Sequence, residues 1–209
     1  MKKIISVILI LFLSSISSPS WSETFTMDDL VKRNNLYYKK FTDVPFTGEI
    51  SGKRNGKFKK GKKDGLWETY YENGPLKVKE NYKDGERDGL WEQYYENGQL
   101  VEKINYKDGK REGLWEIYRE NGNLKHKGSL KNGIEEGIWE TYYPNGNIKS
   151  KVRYEDGKNE GIWETYWING NLEEKGNYKD GKKDGLWEWF NEDGSLKKTE
   201  TWKNGIKQE

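Results

Sequence analysis

From Gly65 to the C-terminus the apolar positions recur in a fixed order. Gly is followed by Leu or Ile, then Trp, then Glu. The tryptophans of this pattern are Trp67, Trp91, Trp115, Trp139, Trp163 and Trp187, each 24 residues after the last with no insertion. An aromatic stands three places after each Trp (Tyr70, Tyr94, Tyr118, Tyr142, Tyr166, Phe190). An Asn-Gly or Asp-Gly pair follows, and two places later comes Leu76, Leu100, Leu124, Ile148, Leu172 or Leu196. Each unit closes on Tyr82, Tyr106, Leu130, Tyr154, Tyr178 or Trp202, before a second Gly-containing turn. A fixed internal period of this size is the signature of a repeat architecture.

Two turn signals in each unit leave room for two strands of about five to eight residues. Gly recurs too often for a helix pair, and Trp, Tyr and Thr favour a pleated surface. Each unit is therefore a β-hairpin, and the hairpins join into an all-β, elongated, single-layer antiparallel meander. Twelve strands at about 4.8 Å spacing give a twisted sheet on the order of 55–60 Å long. The Asn-Gly pair alone would favour a two-residue loop, but Pro144 and Pro75 flank it in two copies and lack the N–H that such a loop uses. A three-residue loop avoids the conflict, with Gly in the left-handed conformation. In that register Tyr70 faces Leu76, Glu68 faces Val78 and Leu66 faces Glu80. This face, with Tyr82, carries the most regular apolar set and is expected to form the core. The opposite face then carries Trp67, Thr69 and Tyr71 beside Lys77 and Lys79. A recurring lysine (Lys79, Lys103, Lys127, Lys151, Lys175) would lie beside the Trp row and supply about 0.5–1 kcal/mol per cation–π pair.

Three segments are expected. Residues 1–22 have a basic start, the ten-residue apolar run IISVILILFL, Pro19 and a Ser-Trp-Ser end. They read as a secretory signal peptide, too short for a bilayer span. Cleavage after Ser22 is expected, with Ser20 as the alternative, giving an exported chain, periplasmic or secreted. Residues 23–64 form an N-terminal segment with a short capped helix at TMDDLVKRN (Thr26 with Asp29) and a degenerate half-repeat, in which Phe58 and Gly61 fall in register with Tyr82 and Gly85. Residues 65–209 are the six repeats.

Composition narrows the chemistry. The chain is 32% hydrophobic and 34% charged, yet it holds ten Trp and fourteen Tyr, which argues against disorder. Without residues 1–22 it has 35 Lys+Arg against 35 Asp+Glu, no basic excess for nucleic acid. There is no Cys, so export comes without disulfides. The single His126 has no nucleophile or metal partner in the pattern. Glu68, Glu92, Glu116, Glu140, Glu164 and Glu188 recur in every copy, as cross-strand partners of lysine rather than a catalytic pair. The acids three before each Trp lack calcium-loop spacing and read as turn residues. No enzyme, metal site or cofactor is expected.

The Trp row is the candidate functional feature. It reads either as packing along the sheet or as a binding strip, since Trp and Tyr anchor protein interfaces. The candidate partner-binding residues are Trp67, Trp91, Trp115, Trp139, Trp163 and Trp187. Beside them one position varies as Tyr71, Tyr95, Arg119, Tyr143, Trp167 and Asn191, as a specificity surface would.

DGLWETYYENGPLKVKENYKDG and its copies resemble MORN-type repeats, in the variant found in the bacterial YwqK-type antitoxin family, and VPFTG at 44–48 resembles the segment before the array in that family. The resemblance covers about residues 28–208. It implies an antiparallel MORN sheet and a non-enzymatic protein-binding or scaffold role, a toxin being one candidate partner. An exported member would act as an immunity-like protein outside the cytoplasm. Cell-wall glycan or a membrane surface is the alternative partner.

Overall fold

The computed structural model describes residues 23–209, so the leader read in residues 1–22 lies outside the described residues. A hairpin of β1 (Leu30–Arg33) and β2 (Leu36–Lys39) forms a separate two-stranded sheet. The main sheet begins with β3 (Gly48–Ile50) and β4 (Arg54–Lys59), enters the array with β5 (Lys62–Tyr70) and β6 (Leu76–Lys83), and continues to Ile206–Lys207. It has 16 strands, all paired antiparallel in chain order, except that Glu86–Arg87 and Gly89–Tyr94 both pair with β6. Its first and last strands do not pair with each other, so the sheet is open. The expected meander is what forms.

Turn chemistry explains the hairpins. In the first unit the Gly74 N–H donates to Tyr71 O (3.1 Å) and the Tyr71 N–H to Pro75 O (2.9 Å). This is the three-residue loop, with Gly74 at φ 103°. Pro75 serves only as acceptor, so its missing N–H costs nothing. Successive hairpins are joined by two-residue turns such as Asp84-Gly85, where both residues have positive φ (51° and 93°). That pair of angles defines the type I′ turn, whose twist matches the sheet.

The register departs from the expected one just after the loop. Tyr70 lies opposite Leu76, but the next pair is Thr69 with Val78, leaving Lys77 as a bulge. Consequently Trp67 faces Glu80 and Glu68 faces Lys79. A slip of one residue exchanges the side chains that share a face. The core is therefore the Trp face, with Val78, Glu80 and Tyr82. The face expected to be buried instead leaves Leu66, Leu90, Leu114, Ile138, Ile162 and Leu186 between 37% and 52% exposed.

A second irregularity explains the invariant Gly-Leu/Ile step. Glu112 pairs with Asn105 and Trp115 with Ile104, so Gly113 and Leu114 have no counterpart on that side. On the other side they pair with Leu130 and Ser129. Gly113 takes φ 78°, open to glycine at little cost. Two extra residues preserve the alternation of faces, so the strand bends without inverting.

The N-terminal segment closes one end. Thr26 and Asp29 form a reciprocal capping box around a single 3-10 turn, Met27–Asp29. Leu30, Phe46, Ile50, Phe58 and Trp67 form one buried cluster. Phe46, from VPFTG, packs edge-on against Phe25 (5.2 Å) and Phe58 (5.8 Å). Backbone bonds from Tyr37 N to Gly61 O (2.8 Å) and from Gly61 N to Phe46 O (2.7 Å) fasten the β1–β2 hairpin and the Phe46 segment to the β4–β5 turn.

Candidate functional site

All six repeat tryptophans lie on one face, but their environments differ. Trp67 is 1% exposed and Trp187 0%, while Trp91, Trp115, Trp139 and Trp163 are half-buried. The row is thus sealed at both ends and accessible in the middle. Trp67, Trp139 and Trp187 lie flat over Gly56, Gly128 and Gly176, where a Cβ would fall 2.3 Å from each indole. Ile104 and Val152 occupy the equivalent place opposite Trp115 and Trp163. Trp115 and Trp139 approach to 5.1 Å between ring centres.

The variable position beside the loop makes contacts along the array. Tyr71 Oη donates to Tyr94 O (2.7 Å), Tyr95 Oη to Tyr118 O (3.2 Å), and Tyr143 Oη to Tyr166 O (2.8 Å). Arg119 Nη2 donates to Tyr142 O (2.7 Å) and Trp167 Nε1 to Phe190 O (3.3 Å). Tyr, Arg and Trp share what this place uses: a long side chain ending in a donor. Asn191, in the sixth copy, turns back to Ser195 Oγ (2.9 Å) within its own loop. Substituting Tyr143 by Phe is expected to lower stability by about 1 kcal/mol, the usual value of one such bond. The urea midpoint of the far-UV signal would report it, and an unchanged midpoint would deny the bond a role.

The remaining recurring acids tie the strands and turns together. The Asp88, Glu112, Glu136, Glu160 and Asp184 carboxylates accept from the N–H of Asp108, Asn132, Asp156, Asp180 and Asn204, in the turn that closes the same unit, at 2.7–3.4 Å. On the face away from Trp, Lys103 pairs with Glu116 (2.8 Å) and Lys175 with Glu188 (2.6 Å). Tyr118, Tyr142 and Tyr166 each donate to the Glu two residues earlier. Burial, with these bonds, pushes Tyr142 and Tyr166 up to about 12. Burial alone would raise the Glu116 carboxyl, but the bonds from Lys103 and Tyr118 outweigh it and hold the group below its usual range.

The lysines expected beside the Trp row, Lys79 and its equivalents, therefore lie on the opposite face. Cations do reach the Trp face, but from a different position, four before the Trp. Lys63 Nζ stands 4.2 Å from the Trp67 ring and 4.4 Å from Tyr82. Arg87 lies over Trp91 (5.9 Å) and Tyr106 (5.3 Å), and Lys183 over Trp187 (3.7 Å). Lys63 Nζ is 3.6 Å and Arg87 Nε 3.0 Å from the buried Glu80 carboxylate, while Lys183 is 3.2 Å from Glu174. The signal for it in the sequence is a basic residue two places after the turn in most copies. His126 stacks on Trp115 and lies 3.3 Å from Thr141 Oγ1. Burial, then Lys125, Arg119 and Lys149, keep its imidazole below its ordinary value.

The face is thus a corrugated aromatic strip carrying fixed charges. None of the curated proteins matches the chain. The family model described as MORN repeat variant matches residues 63–84, 87–108, 111–132, 135–156, 159–180 and 183–204, together more than half of the sequence. Those segments coincide with the strand–loop–strand units whose tryptophans, turns and inter-copy bonds are described above, and the chain belongs to the MORN repeat variant family.

Proposed function

We propose that this chain is an exported, non-enzymatic protein-binding module whose middle copies dock an envelope or secreted protein on the Trp face. One observation carries the reading: the Trp row is closed at Trp67 and Trp187 and half-open at Trp91, Trp115, Trp139 and Trp163. Aromatic rings that are held rigidly yet not covered are the preferred anchors of protein interfaces. Repetition supplies an extended surface that one hairpin cannot. The leader read in residues 1–22 supports action in the periplasm or outside the cell. There the antitoxin resemblance becomes an immunity-like role, the partner being a protein the cell must restrain.

Affinity capture from envelope and secreted fractions tests the proposal. The captured bait is expected to begin at Glu23 by intact mass. A specific protein should be retained, and Trp139→Ala together with Trp163→Ala should reduce its retention at least tenfold while the β-sheet circular dichroism persists. Equal retention by the variant would remove the Trp face from consideration. The exposed Leu66-to-Leu186 row favours a second reading, contact with a membrane surface. Vesicle flotation separates the two: the protein-binding reading expects the chain to stay below the lipid.

A further inference from the structure

In four of the six copies a cation four residues before the Trp sits among aromatic rings or their hydroxyls. Lys63, Arg87 and Lys183 stand over the rings of their own copies. Arg111 instead donates from Nε to Tyr106 Oη (3.3 Å) and pairs with Glu102 (3.7 Å). Two adjacent copies break the rule: the same position is Glu135 in one and Asn159 in the next. Both side chains are half-buried on the Trp face.

The rings that receive a cation elsewhere are still present. Trp139 and Tyr154 lie 6.0 Å apart with planes at 70°, and Trp163 and Tyr178 lie 5.3 Å apart at 56°. These match the arrangement of Trp67 and Tyr82, at 6.2 Å and 72°, which grips Lys63. Among the repeat tryptophans and the rings that close each copy, cation–π contacts fall on Trp67, Tyr82, Trp91, Tyr106, Trp187 and Trp202. Among the described residues none falls on Trp139, Tyr154, Trp163 or Tyr178. In place of a cation these rings have a carboxylate and an amide beside them. The Glu135 charge adds to burial in raising the Tyr154 phenol. Asn159 Oδ1 is buried with no hydrogen-bond partner. An unpaired buried acceptor is costly, and the face of an aromatic ring attracts positive charge.

Resting on the reading of the Trp face as a protein-binding surface, we propose that the Trp139–Tyr154–Glu135 and Trp163–Tyr178–Asn159 boxes receive basic side chains of the partner protein. A guanidinium or ammonium entering there would stand where Lys63 stands over Trp67, with Glu135 as counter-charge and Asn159 Oδ1 as acceptor. One copy spans two strands, so the boxes are roughly 10 Å apart. The partner segment therefore presents two basic side chains at that separation. In this view the array supplies its own cation in four copies and leaves it to the partner in the two that lack one.

The test uses the full chain and a short unstructured peptide bearing two arginines, with binding followed by tryptophan fluorescence and calorimetry. The same peptide with citrulline in place of arginine keeps the shape and removes the charge. The arginine peptide is expected to bind, and the citrulline form at least tenfold more weakly. Glu135→Lys with Asn159→Lys restores the cation the other copies carry. That variant should melt at a higher temperature and bind the arginine peptide at least tenfold more weakly. Glu135→Gln removes the counter-charge without adding a cation and should weaken binding about threefold to tenfold. No binding of the arginine peptide, equal binding of the citrulline form, or undiminished binding by the lysine variant would each overturn the proposal. An envelope protein retained by the lysine variant but lost on Trp139→Ala would leave the binding module standing and overturn only its cationic occupant.

Discussion

Alanine at Gly176 is expected to cost about 3 kcal/mol, the upper part of the range for overpacking a filled site. The added Cβ would fall 2.3 Å from both Cδ2 and Cε2 of Trp187. That indole is 0% exposed and has nowhere to swing. For a chain of this length the melting temperature should drop by roughly 6–12 °C. Gly185, nine residues on, gives the contrast. It sits at φ 81°, and a methyl group added there would meet nothing within 4 Å, so its alanine variant faces only the backbone penalty, about 1–2 kcal/mol. The two glycines are required for different reasons, and a third variant separates them. Trp187→Phe in the Gly176→Ala background should recover part of the loss, while in the Gly185→Ala background it should add to it. Simple additivity in both backgrounds would mean that Gly176 is not kept small by the indole.

Truncating Trp67 to alanine is expected to cost about 4 kcal/mol and to detach the N-terminal segment. Its ring meets Phe58 at 4.9 Å, and its Nε1 donates to Lys57 O at 3.2 Å. Among the described residues it is the one repeat Trp in the buried cluster with Leu30, Phe46 and Ile50. Stability in such arrays comes from neighbouring copies, so the damage should stay local. Limited proteolysis should release residues 23–61 while a resistant core from about Lys62 onward survives. A single cooperative collapse, with no protected fragment, would contradict the nearest-neighbour picture.

Much of this was legible in the sequence, and particular residues show why. Pro75 and Pro144 excluded the two-residue loop, and the Tyr70–Leu76 pair followed from that. What could not be read was Lys77, whose bulge moves the next pair by one and exchanges the two faces. Nothing in Leu-Lys-Val marks it, because a bulge at a non-glycine residue needs no special side chain. The Gly113-Leu114 excursion did leave a mark, an invariant glycine inside a strand. Tyr71, Arg119 and Trp167 looked like free variation because sequence shows side-chain identity more readily than shared reach. The difference between a covered and an open Trp was invisible: Gly56 and Gly176 lie under the covered Trp67 and Trp187, but Gly128 lies under the half-open Trp139. The basic position at Lys63 and Arg87 was visible but lay four residues from the ring it serves, across a bend that the regular register did not contain.

The way Asn191 folds back on Ser195 has a consequence for how such a chain can change length. Each of the five copies before it reaches forward to the next with a donor at this position, so excising one interior unit would rejoin equivalent partners. The last copy cannot be moved inward on those terms, for its short amide would not span the junction. Growth and shrinkage by whole modules are therefore open to the first five copies, while the sixth is not interchangeable with them.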